Sequence, residues 1–135
     1  MPGEGNAAMI LGREQLDKIH HILSENLIGS GFRSVMLIDT GGNVVASISN
    51  PDETLDLYSL AALAAANFGA MSCMARIIGE DKFSLLFHKG EKDNIYFCEV
   101  NEELLLVNIF SNQSSLGFLR MKMSKVIEEL LGMLT

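Results

Sequence analysis

The chain has 135 residues, 48% hydrophobic and 20% charged, a balance that excludes a disordered polymer and gives one globular domain long enough to bury a core. A net charge of −7 and a pI near 4.8, with ten scattered Lys and Arg, exclude a nucleic-acid footprint and disfavour an anionic membrane surface. Cys73 and Cys98 sit in apolar segments with no Cys-x-x-Cys spacing, which reads as buried reduced thiols rather than zinc ligands or a disulfide framework.

Residues 1–10 (MPGEGNAAMI) read as a loose leader without the features of a secretory signal, ahead of one domain over 11–135. Together with the cysteine usage this places the protein in the cytoplasm. Residues 13–27 put Leu16, Ile19, Leu23 and Leu27 on one helical stripe with Ile22 beside it, and polar residues opposite. That helix ends at Gly29-Ser30-Gly31. Residues 34–39 and 44–49 are β-rich runs joined by Thr40-Gly41-Gly42-Asn43, whose glycines supply the positive φ of a tight hairpin.

From Leu57 to Ala75 nineteen residues pass without a charge. The Ala-rich composition predicts a helix from about Leu55 to Ile78, with Thr54 or Asp52 as its cap and Gly79 as its stop. The segment has transmembrane length, but Ala, Ser, Gly and Asn gain little in hydrocarbon and no cationic cluster flanks it, so it reads as a helix of a soluble domain with no membrane insertion. Helical spacing divides it into three stripes. Leu57, Leu60, Leu63, Ala64, Met71, Met74 and Ile78 carry the bulk and are assigned to the sheet; Asn67 falls among them and needs a partner if buried. Ser59, Ala62, Ala66, Gly69 and Cys73 are all small and form a flat surface on which another backbone can dock. Tyr58, Ala61, Ala65, Phe68, Ser72 and Ala75 lie between, facing a symmetry mate.

Three strands follow at 83–88, 94–100 and 104–110, with connections short enough for antiparallel hairpins. The fifth strand is apolar at consecutive positions from Leu104 to Val107 and so should be covered on both faces. Ser114-Ser115 caps a last helix from Leu116 to Leu134 whose stripe is Leu116, Leu119, Met123, Val126, Ile127, Leu130 and Leu134. The order α-β-β-α-β-β-β-α predicts an α+β domain, a five-stranded antiparallel sheet with helices on both faces.

Little here carries catalysis, a metal or a cofactor. Asp39-Thr40-Gly41 resembles the signature of homodimeric aspartic proteases, but those are almost wholly β, and Asp39 is better read as opening a hairpin turn. His20 and His21 diverge on one helix, and His88 closes a strand with no evident companion. No phosphate-binding Gly-x-x-x-x-Gly-Lys loop is present. Arg76 and Arg120 read as helix-end or surface cations rather than fingers reaching into a partner nucleotidase.

The element order, with VMLIDTGGNVVAS, SLAALAAANFGAMSCMARIIGE, LLLVNIFSNQSSLGFLRMK and the final helix, resembles the roadblock family of dynein light-chain and small-GTPase regulators, and within it the bacterial MglB-type branch. The stretches cover most of residues 13–134. The resemblance implies a profilin-like roadblock fold and a homodimer with its second helices side by side. The third strands, carrying Phe83, Leu85 and Phe87, would extend one sheet across the pair. It also implies a Ras-like small GTPase seated on Ser59, Ala62, Ala66, Gly69 and Cys73, activated without an arginine from this chain. A dimeric scaffold that binds without changing turnover is the alternative function.

Overall fold

The computed structural model describes residues 11–27, 31–51, 53–113 and 115–134. The leader, residues 28–30 with the predicted Gly29-Ser30 helix stop, Asp52, Ser114 and Thr135 lie outside the described residues. The elements run α1 (Arg13–Leu27), β1 (Phe32–Asp39), β2 (Val44–Ser49), α2 (Leu57–Ile77), β3 (Leu86–Lys89), β4 (Asp93–Glu99), β5 (Leu104–Ser111) and α3 (Leu116–Leu134). This is the expected order.

All strand pairs are antiparallel, in the order β2-β1-β5-β4-β3. The central strand, β5, is buried from Leu104 to Phe110. Because successive side chains of a strand point to opposite faces, Leu104, Leu106 and Phe110 join the core under α1 and α3, while Leu105 and Val107 join the core under α2. Its consecutive apolar positions thus serve two cores, as the sequence indicates.

On one face α1 buries Ile19, Ile22, Leu23 and Leu27, and α3 buries Leu119, Met123, Val126 and Leu130. Asn26 is buried between them; its Nδ2 donates to the Ile22 carbonyl at 2.8 Å and to Glu129 Oε2 at 3.2 Å, so the two helices are tied by a polar contact as well as packing. Ser115 Oγ accepts from the Phe118 N–H at 3.1 Å and caps α3.

Three details differ from expectation. The cap of α2 is Asp56, whose carboxylate accepts from the Ser59 N–H at 3.2 Å, so the helix starts two residues later than predicted. β3 covers Leu86–Lys89 rather than 83–88. Its register is set from the turn, where the Gly90 N–H donates to the Asp93 carbonyl at 3.0 Å, and pairing outward from Lys89↔Asn94 stops at Leu86↔Phe97. In the first hairpin only Gly42 has a positive φ, +89°; the turn closes with Gly42 N–H on the Asp39 carbonyl, in the manner of a type I turn followed by a left-handed glycine.

The largest correction concerns the phase of α2. Its buried residues are Ala61, Ala64 and Ala75, with Leu57, Leu60, Ala65 and Phe68 packed beside them against Met36, Ile38, Phe97, Leu105 and Val107. Small residues at the centre of this contact let the helix backbone lie close to the sheet. Of the bulky stripe assigned to the sheet, Leu63 (68% exposed), Met74 (53%) and Ile78 (68%) face outward. Ala61, expected at a dimer interface, is fully buried and has no surface to offer a partner.

Candidate functional site, the outward face of α2

The outward face of α2 is the most apolar exposed helix surface among the described residues. Ser59, Ala62, Ala66, Gly69 and Cys73 are all exposed and lie on one helical side. Leu63 and Met74 flank this strip on one side, Tyr58 flanks it on the other, and Ile77 closes its C-terminal end. Tyr58 is 79% and Ile77 83% exposed, so together with Leu63 and Met74 they make an extended apolar surface of the kind that marks an interaction site. α2 is also long and apolar enough to cross a membrane, with a mean hydropathy of 1.4 and 22% of its residues buried over its most apolar stretch.

The strip is held rigidly at both ends. At its start Asp56 accepts from both the N–H and the hydroxyl of Ser59, at 3.2 and 2.7 Å, which holds the Asp56 carboxyl below its usual range. Upstream, Arg33 Nε donates to Glu53 Oε2 at 2.8 Å and Arg33 Nη1 to Asp93 Oδ2 at 2.8 Å, binding the segment before α2 to β1 and β4. The guanidinium pulls the Glu53 carboxyl down. At the far end Arg76 Nη2 donates to Cys73 Sγ at 3.3 Å, so this arginine folds back along the helix.

The β1–β2 turn leans on the same strip. A Cβ at Gly42 would sit 2.9 Å from the Ala62 Cα, so the turn backbone touches the helix. Asp39 organises that turn by accepting from the N–H groups of Gly41 (3.0 Å) and Asn43 (2.9 Å). Its carboxylate is engaged in the loop, as the hairpin reading requires. Gly69 has no heavy atom within 4 Å of an added Cβ and leaves the middle of the strip flat and open.

The remaining residues assigned to a dimer contact divide. Leu85 is exposed, Phe83 and Ser72 are half-buried, and Ala65 and Phe68 pack against the sheet. Phe87 turns to the opposite face, stacked on Phe110 with ring centroids 6.0 Å apart. Cys98 is buried, and burial pushes its thiol up to about 11. Cys73 is exposed, contrary to the expectation of two buried thiols, because the helix phase turns it outward. His88 does have companions: Asn67 Nδ2 lies 3.2 Å from its Nε2, and its ring meets Phe97 edge-on. His21 pairs with Glu25 at 2.9 Å, one helical turn on. Among the described residues no group of three His, Cys, Asp or Glu could hold a metal ion.

The profile of the Roadblock/LC7 domain matches residues 22–110. A solved structure described as MglB with tetrameric arrangement superposes with a TM-score of 0.84 at 29% identity, covering 92% of this chain and 93% of that one. The gliding protein MglB of Thermus thermophilus gives 0.83 at 29% identity with the same coverage. MglB of Myxococcus xanthus gives 0.78 at 35% identity, covering 84% of this chain and 91% of that one. No curated protein sequence matches.

Proposed function

The chain belongs to the Roadblock/LC7 domain family with the fold of bacterial MglB proteins, and from that membership and the open face of α2 we propose that it is a homodimeric cytoplasmic regulator of a Ras-like small GTPase. The observation that carries the reading is the small, charge-free strip Ala62, Ala66, Gly69 and Cys73 at the centre of an exposed helix face. Docking there orders few side chains, so little entropy opposes it. Ser59 at the capped end belongs to the same surface.

A second copy of the chain covers the bulky side chains that border the strip on either side. Tyr58, Leu63, Met74 and Ile77 meet it along α2, and Phe83 and Leu85 meet it beside β3. The exposure of Tyr58, Leu63, Met74, Ile77 and Leu85 supports the assignment, as does the tetrameric arrangement recorded for the relative above. Covering them with protein also accounts for the apolar helix without membrane insertion; Asp56 and Arg76 bracket it, and its composition gains little in lipid.

The regulation is activation of GTP hydrolysis without an arginine from this chain. Arg76 folds onto Cys73, so no arginine extends from the strip. The dimer acts by favouring the arrangement of the GTPase's switch loops in which the GTPase completes its own active site. The test is binding of purified Ras-like GTPases from the source organism, loaded with a non-hydrolysable GTP analogue, to the wild type and to Ala66→Arg. The variant should lose binding and keep the dimer. Binding at unchanged affinity removes the surface assignment. Binding of the wild type with no change in hydrolysis leaves the scaffold reading in place of activation.

A further inference from the structure

A cleft opens at the β3 edge of the sheet, bordered by Phe83 of the proposed dimer contact and by Ser72 next to the strip. It opens where β3 leaves β4: pairing ends at Leu86↔Phe97, and residues 82–85 no longer pair with the end of β4. The gap is a cavity of about 230 Å³ bordered by Ser72 of α2, by Arg120 and Ser124 of α3, and by Tyr96 and Cys98 of β4.

Arg120 is the unusual member. Among the described residues no carboxylate forms an ion pair with it. The groups it acts on are the Tyr96 hydroxyl and the Cys98 thiol. Burial pushes the phenol up to about 12 and the thiol up to about 11, so both are neutral at pH 7. Glu99, which also lines the cleft, is engaged by Lys82 Nζ at 3.2 Å. Arg120 turns a donor to the Tyr96 hydroxyl, and with no carboxylate paired to it the rest of its fork, flanked by Ser72 and Ser124, is available for an anion from outside. The volume lies below the roughly 300–1,000 Å³ of pockets that hold drug-sized ligands, so the group it admits is small.

We propose that this cleft binds a small oxyanion, a phosphoryl or carboxylate group, with Arg120 as the charged anchor and Ser72 and Ser124 as hydroxyl donors. The site does not depend on a GTPase, although Phe83 on its rim is shared with the proposed dimer contact, and it is tested with this protein alone. Nitrogen-resolved NMR spectra, including the Arg Nε–H region, are followed while inorganic phosphate, or separately acetate, is added at constant ionic strength. The expected result is a saturable shift of the Arg120 Nε–H and the Ser124 amide with a Kd of about 10 mM or tighter. Arg120→Gln should weaken it by about tenfold or more, and Lys125→Gln, an exposed cation of α3 outside the cleft, should leave it unchanged. Saturation by phosphate alone assigns a phosphoryl ligand, by acetate alone a carboxylate, and by both an oxyanion of either source. Linear, unsaturated shifts with both anions, or equal affinity in a folded Arg120→Gln variant, overturn the proposal.

Discussion

Replacing Gly42 by alanine tests how the β1–β2 turn supports the small-residue strip on α2. Gly42 has a φ of +89°, a conformation that costs a residue with a Cβ roughly 1–2 kcal/mol. The added methyl would also stand 2.9 Å from the Ala62 Cα, and that neighbour is backbone rather than a flexible side-chain end. Overpacking of this kind costs about 1–3 kcal/mol. The two effects together destabilise by about 2–5 kcal/mol, which for a domain of this size lowers the melting temperature by on the order of 10 °C. Urea unfolding should show the loss as a lower midpoint at unchanged slope. Gly69→Ala is the matched control: nothing lies within 4 Å of its added methyl, it sits inside α2, and its stability should rise by about 0.5–1 kcal/mol. A Gly42→Ala protein within about 0.5 kcal/mol of wild type would show that the turn does not press on α2.

Three further outcomes follow from the same geometry. Under native conditions iodoacetamide should label the exposed Cys73 rapidly and the buried Cys98 only on unfolding, read by peptide mass spectrometry; equal rates would place Cys98 at the surface. Glu53 and Asp56 have folded pKa values depressed below 4.5 and 3.8, so the stability they supply is present above about pH 5 and lost as pH falls through the folded values. Glu53→Gln should therefore flatten the acid limb of the stability curve measured by urea unfolding, and an unchanged limb contradicts the Arg33 pairing. Leu106→Ala, at a fully buried position in the centre of β5, should cost about 2–5 kcal/mol in the same unfolding assay, and a loss below about 1 kcal/mol would mean that the site is not a packed core.

How much could be read in advance depended on contrast along the chain. The core faces of α1 and α3 were legible because Arg13, Asp17, Lys18, Lys125 and Glu128 mark the opposite sides. β5 was legible as a strand buried twice because nothing from Leu104 to Val107 is polar. α2 offers no such contrast. With no charge over nineteen residues, nothing marked which side meets the sheet, and bulk guided correctly for Leu57 and Leu60 but not for Leu63, Met74 and Ile78. Alanines at 61, 64 and 75 won the inner face because they permit close approach, which sent Leu63, Met74 and Cys73 outward. The small strip itself survived, since its members share a side whatever the phase of the rest. The cap of α2 was ambiguous because Asp52, Thr54 and Asp56 all precede the helix. The Arg33 pairs with Glu53 and Asp93, the Asn26–Glu129 contact and the Asn67–His88 contact join residues far apart in sequence. No local pattern encodes them.

The most direct test is single-turnover GTP hydrolysis by a candidate Ras-like GTPase, measured alone, with the wild type and with Ala66→Arg. The account predicts faster hydrolysis with the wild type and the unassisted rate with a folded, dimeric Ala66→Arg. Acceleration that survives the arginine would contradict the claim that the outward face of α2 is the docking surface.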